Sequence, residues 1–323
     1  MQKFPISLII DDPAPVLSVY YTHAGTDKTK DGRPLIQYYP NTLLDKFCDV
    51  VERHGIKGKF SIVPMPGNRG DIVNGIDGVP MADMQAWLDT VKKRLMPAFT
   101  VGPEMLTHNR AVNLEDGSAL SMNERDWAST QDRTTLTPYI TKALELHKAA
   151  GFESFGVTSP WDFGIEVEDE YAAAISKAVY DVTGKTEAWY FLRGLRNTPN
   201  AKAWIQLEED GRTLVSIPAT CTDHTWQTIN TPEDSEEYVR RVADELITED
   251  GTDGEMVRVL NNNAWPILIA HWQSLMSNGL GTGIRVLDEV GRRISKNFAD
   301  RVEWMSFEEI MNYTIKLHKN GEL

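Results

Sequence analysis

The sequence predicts a single α/β domain, residues 1–323, built on a parallel sheet that is either open or closed into a barrel. Three observations carry this. Strand-like and helix-like segments alternate along the chain. Helix-to-strand connections are short, whereas strand-to-helix connections are long. No repeat, low-complexity tract or shift in composition marks a linker.

The first strand is the apolar run Ile6-Ser7-Leu8-Ile9-Ile10, which reads as buried on both faces. It ends on Asp11 and Asp12, and Pro13 opens a loop. Further strand-like runs fall near 58–64, 98–104, 153–159, 186–192, 213–218 and 266–271. Helical periodicity falls near 41–54, 81–95, 133–150, 167–182, 233–249, 283–297 and 306–318. One stretch breaks the pattern. Ala203–Leu207 and Thr213–Ile217 flank Glu208-Glu209-Asp210-Gly211-Arg212, a hairpin with Asp210-Gly211 as its turn. No helix is expected between 193 and 202, so a barrel would be irregular or incomplete there.

Loop lengths locate the functional face. His54-Gly55-Ile56-Lys57 and Ala150-Gly151-Phe152 are short links into strands. The segments 13–40, 65–80, 105–132 and 219–232, which follow strands, are long. In parallel α/β folds the site lies at the C-terminal ends of the strands and is built from such loops.

Composition excludes several classes. A net charge of −14 argues against nucleic acid or an anionic membrane as partner. Two cysteines, Cys48 and Cys221, make no disulfide scaffold. The segment before the first strand carries only Lys3 as a cation. The apolar run is too short for a signal peptide or a span, so a cytoplasmic protein is expected. The 41% hydrophobic content supports a large core. Nine tryptophans exceed what such a core needs, and sugar stacking is one use for exposed rings.

The titratable residues sort by position. His54, His147 and His318 lie on predicted helices and read as structural. His23, His108, His224 and His271 follow predicted strands. Two adjacent carboxylates ending a buried strand are costly to desolvate unless something uses them. Alternation along a strand points Asp11 and Asp12 to opposite sides, giving them different jobs. Together with the four strand-end histidines they are the residue types of a metal-hydrolase site. Trp161, in Thr158-Ser159-Pro160-Trp161-Asp162, is either a sugar platform or a plug at the rim.

These residues, in this order, resemble the polysaccharide deacetylase family, the NodB-homology metal-dependent esterases. The resemblance covers nearly the whole chain and implies a distorted or incomplete (β/α)7-8 barrel. Ile9-Ile10-Asp11-Asp12 is similar to the family's first motif, making Asp11 the general base and Asp12 a metal ligand. His54-Gly55-Ile56-Lys57-Gly58-Lys59-Phe60-Ser61-Ile62-Val63 looks like its second strand. His108 matches the first of two ligand histidines four apart, but Val112 stands at the second position. Thr158-Ser159-Pro160-Trp161 keeps the proline and aromatic of an Arg-x-Pro-aromatic motif, with Thr158 for the arginine. Ala270-His271 matches the catalytic acid. Arg301–Ile310 is similar to the closing strand and helix.

The resemblance implies a divalent metal, zinc by analogy, held by Asp12 and His108. That set is one ligand short of three. His23, His224 or Asn113 is a candidate for the third, and a site with no tight metal is the alternative. Trp161, Arg110, Trp272 and His23 are the expected substrate contacts. The expected activity is removal of an acyl group from an amino sugar or related carbohydrate, or another acylated small molecule. A second reading is a metal-free glycoside hydrolase using Glu104 and Asp162 across the substrate. A third is a non-catalytic sugar-binding relative. Sequence leaves the oligomeric state open.

Overall fold

The structure, a computed structural model, describes residues 3–23, 25–96 and 98–323. Its principal strands are β1 (Phe4–Asp11), β2 (Gly58–Ile62), β3 (Phe99–Pro103), β4 (Gly156–Thr158), β5 (Glu187–Phe191), β6 (Trp204–Glu209), β7 (Arg212–Ser216), β8 (Ile267–His271) and β9 (Val302–Trp304). β8, β1, β2 and β3 form one parallel sheet in that order, with β9 beside the first residues of β1. β4, β5 and β7 are parallel in a second sheet, edged by β6 running antiparallel to β7.

The sheets meet at two seams. A parallel bridge pairs Glu104 with Thr158 at one. At the other, the N–H groups of Thr220 and Cys221 both donate to the Ile267 carbonyl, at 2.9 and 3.2 Å. Seven parallel strands thus follow one another around an incomplete barrel. The irregularity falls where sequence placed it, at the hairpin: Asp210 (φ 51°) and Gly211 (φ 74°) make the turn between β6 and β7. Two successive left-handed residues are what a tight two-residue hairpin requires.

The helices are α1 (Asn41–His54), α2 (Met81–Thr90), α3 (Arg133–Ala149), α4 (Glu168–Thr183), α5 (Glu236–Leu246), α6 (Thr282–Phe298) and α7 (Phe307–Asn320). All lie where the periodicity puts them. α2 runs on as a wider turn over Val91–Leu95, and α5 is shorter than predicted at both ends. α1 stops at Gly55, whose φ of 62° turns its N–H back to the Val51 carbonyl. Asp132 and Ser306 start α3 and α7 with reciprocal side-chain caps. No helix among the described residues is long and apolar enough to cross a membrane.

β1 alternates as a two-sided strand must. Ile6, Leu8 and Ile10 join the cluster holding Leu43 and Phe47 of α1 and Leu287 of α6. Ile9 joins the other, with Val157 and Trp189. The Trp189 indole packs so close to β4 that a Cβ on Gly156 would lie 2.2 Å from it, so only glycine fits there. Sequence did not indicate the ribbon Arg110–Val112 with Ala119–Asn123, nor the short helices Glu124–Ala128 and Glu255–Asn261.

Candidate active site

A cavity of about 530 Å³ opens at the C-terminal ends of β1, β3, β4 and β8. Asp11, Asp12, His23, His108, Trp161 and His271 all line it, joined by Tyr20, Glu104, Arg196, Asp223, Trp226 and Gln273. Asp11 and Asp12 were expected on opposite sides of β1. Both reach the cavity because Asp12 lies past the strand end with φ of 70°, where alternation no longer holds.

Asp12, Glu104 and His108 form a buried group, each offering a ligand atom within 4.8 Å of the others. His108 Nε2 is 2.8 Å from Asp12 Oδ1 and 3.4 Å from Glu104 Oε1. His108 has a left-handed backbone, φ 51°. Buried Glu124 fixes that turn: its carboxylate accepts from the N–H groups of Leu106, Thr107 and His108 at 3.1, 2.9 and 2.7 Å, and from the Tyr139 hydroxyl at 2.6 Å. The Asp12 N–H donates to Glu104 Oε2 at 2.6 Å, and Gln273 Nε2 donates to Asp12 Oδ2.

The protonation pattern follows from this crowding. Burial pushes Asp12 up, but the charge and proximity of His108, then the charge of His271, outweigh it and hold the carboxyl well below the usual range. Burial, then the charges of Asp12 and Asp11, push Glu104 up to about 8. Burial opposes a charged His108, yet Asp12 and Glu104 raise it well above the ordinary imidazole value. Burial and the charge of His108 take His23 down to about 4. The contact at 3.0 Å between His108 Nδ1 and His23 Nε2 therefore suits a protonated His108 donating to a neutral His23.

The group fits a divalent cation. Two carboxylates and an imidazole are a donor set that zinc and similar ions accept. Asp12 Oδ1 is buried and, although 2.8 Å from His108 Nε2, accepts no well-directed hydrogen bond. A cation among the three residues would satisfy it and replace the protons that now offset these charges.

Two further pairs complete the site. His271 Nδ1 lies 2.8 Å from Asp223 Oδ2, which also accepts from the His271 N–H at 3.0 Å. Burial opposes the imidazolium, but the Asp223 hydrogen bond and the Asp12, Asp223 and Asp11 charges raise His271 to about 9. Asp11 is bound by Lys59, a fully buried lysine on β2 that also donates to Ser61, while Ser61 meets Thr158 at 2.8 Å. Thr158, where the sequence resemblance implies an arginine, carries no charge. The cation here comes instead from Lys59, one strand away.

The structure corrects several expectations. The residue that joins Asp12 and His108 in a group able to hold a metal is Glu104. His224 is tied to Glu245 and Glu255, at 2.9 and 2.8 Å, and does not line the cavity. The Asn113 side chain accepts from the Glu115 N–H in a surface turn. His23 lines the cavity but stacks on the His108 ring, with centroids 4.9 Å apart. Val112 is buried in the core, so no ligand arises there. Trp272, expected as a substrate contact, does not line the cavity. It is 2% exposed and packs edge-on to Phe47, Phe60 and Trp87, because the residue after the cavity-facing His271 turns inward. Arg110 is exposed on the ribbon and does not line the cavity. Asp162 is exposed outside the cavity, so Glu104 and Asp162 do not face each other. Trp161, 42% exposed with φ of 48°, packs against His23 and His108 at 4.7 and 4.3 Å. Sequence did not single out Lys59, Asp223, Glu124 or Arg196.

No family model and no curated protein matches the chain. Solved structures do. A protein assigned as a polysaccharide deacetylase from Mycobacterium smegmatis aligns over 85% of this chain and 78% of its own, at 12% identity and a TM-score of 0.52. A protein assigned as a glycoside hydrolase/deacetylase from Parabacteroides distasonis aligns over 98% of this chain and 71% of its own, at 10% identity and a TM-score of 0.52. A mutant of a CE4 family pseudoenzyme aligns over 96% and 67%, at 11% identity, but its TM-score of 0.40 is too low to carry an argument. The first two share this chain's fold; at such identities the likeness extends no further.

Proposed function

We propose that this protein is a metal-dependent hydrolase that removes an acyl group from an amino sugar or a related acylated carbohydrate. One observation carries the reading: the Asp12–Glu104–His108 group, the Asp11–Lys59 pair and the His271–Asp223 pair converge on a single cavity.

A divalent ion held by Asp12, Glu104 and His108 would supply electrophilic activation of an acyl carbonyl and of water. Asp11 is the base in this reading. Lys59 holds its Oδ1, and its Oδ2 has no partner among the described residues, leaving that oxygen to take a proton in the cavity. His271 is the acid. Asp223 occupies its Nδ1, so Nε2 is left to give a proton to the departing nitrogen or oxygen. At neutral pH it carries that proton. Trp161, Tyr20 and Trp226 give the cavity aromatic walls that suit a sugar ring. With Asp162 outside the cavity, the glycoside hydrolase reading lacks its facing carboxylate.

The test is acetate release from N-acetylated sugars and a chromogenic acetyl ester, by protein loaded with zinc. Turnover should vanish in Asp12→Ala and His108→Ala. Absence of turnover by the wild type on every substrate would leave a non-catalytic sugar-binding protein instead.

A further inference from the structure

The cavity's charges are unbalanced in an informative way. Apart from the imidazoles, its charged lining consists of four acids, Asp11, Asp12, Glu104 and Asp223, and one cation, Arg196. Each acid already has a partner within the chain: Lys59, Gln273, His108 and His271 respectively serve them. Arg196 has none. Among the described residues its guanidinium makes no ion pair and no hydrogen bond. Arg193, three residues earlier, contrasts with it, being tied to Glu168.

The backbone around Arg196 is fixed. Gly194 bridges to Ala219, and the Leu195 N–H donates to the Ala219 carbonyl at 2.7 Å. Beyond it, the Asn200 N–H donates to the Asn262 carbonyl at 2.9 Å. The loop therefore delivers an uncommitted guanidinium to the cavity wall. That group is a planar fork matched to a carboxylate or phosphate. The general field of a chain with net charge −14 does not attract an anion, so an anionic ligand depends on a local cation.

We infer that the substrate carries an anionic group, a carboxylate or a phosphate, which pairs with Arg196 while its acyl group lies at the Asp12–Glu104–His108 end. The assignment of the reacting end rests on the hydrolase reading; the anion site does not.

Calorimetric titration of the full chain with three matched sugars tests this: N-acetylglucosamine, N-acetylmuramic acid and N-acetylglucosamine 6-phosphate. At least one anionic sugar should bind the wild type tenfold or more tightly than the neutral one. Whether the carboxylate or the phosphate gains more identifies the group. Arg196→Gln, at an exposed and unpaired position, should abolish the preference, bringing the anionic sugars to the affinity of the neutral one. Equal binding of all three, no binding of any, or a preference that survives Arg196→Gln would overturn the inference. A preference lost in Arg196→Gln, without acetate release from any sugar, would uphold the anion site and defeat the hydrolase reading. Acetate release without any anionic preference would do the reverse.

Discussion

Lys59 donates to Asp11 from the neighbouring strand, inside the barrel and out of contact with water. The pair joins the core to the site, since the same ammonium donates to Ser61 and lies 4.9 Å over the Phe191 ring. Removing one partner of a buried pair strands the other. Lys59→Met should therefore cost roughly 3–5 kcal/mol of stability. The double variant Lys59→Met/Asp11→Asn should recover part of that loss. Urea denaturation measures both; equal stability of Lys59→Met and wild type would show that the pair is not formed.

Asp223 should set the basic limb of the activity profile. His271 acts as an acid only while protonated, so activity is present below its raised value of about 9 and falls as pH rises through it. Asp223→Asn removes the charge and weakens the hydrogen bond that raise His271, so the basic limb should move toward the ordinary imidazole value of about 6.5. A pH–rate profile on an acetyl ester measures this. An unmoved basic limb would remove His271 as the proton donor.

His147 should make the fold acid-sensitive. It is buried on α3, with Nε2 donating to the Ile62 carbonyl at 3.0 Å and Nδ1 2.9 Å from the Ser154 hydroxyl. Burial takes it down to about 4. The unfolded chain binds a proton near 6.5, so the stabilisation from a neutral His147 is complete above that value. It is lost as pH falls from about 6.5 toward 4. His147→Gln should flatten this window of the stability–pH curve. The same slope in both proteins would refute the assignment.

Trp161 and Trp272 should separate cleanly. Trp272→Ala should cost about 3–5 kcal/mol, as large core deletions do. Trp161→Ala should leave the unfolding midpoint nearly unchanged, because the ring is partly exposed and sits on a left-handed backbone. It should instead raise KM for sugar substrates. A large stability loss in Trp161→Ala would make that residue a plug.

The strands and helices were legible because apolar runs and helical periodicity are local signals. Asp11, Asp12, His108 and His271 were legible for the same reason, each closely following a readable strand. Lys59 was not, because one lysine in a short strand gives no sign that a carboxylate 48 residues earlier will meet it. Asp223 lies in a loop with no periodicity, and its role exists only through contact with β8. Glu104 was seen as a strand-end acid but given a different partner, since spacing alone does not tell which strand ends adjoin. Trp272 was misplaced by adjacency to His271, although alternation argues that the next side chain turns away.

Asp12, Glu104 and His108 together should hold one divalent ion. Equilibrium dialysis against zinc, with metal counted by mass spectrometry, tests it on the wild type, Glu104→Gln and Asp11→Asn. One tightly held ion per chain is expected in wild type and in Asp11→Asn, and its loss in Glu104→Gln with the fold intact by circular dichroism. Full occupancy in Glu104→Gln, or no ion in the wild type, would contradict it.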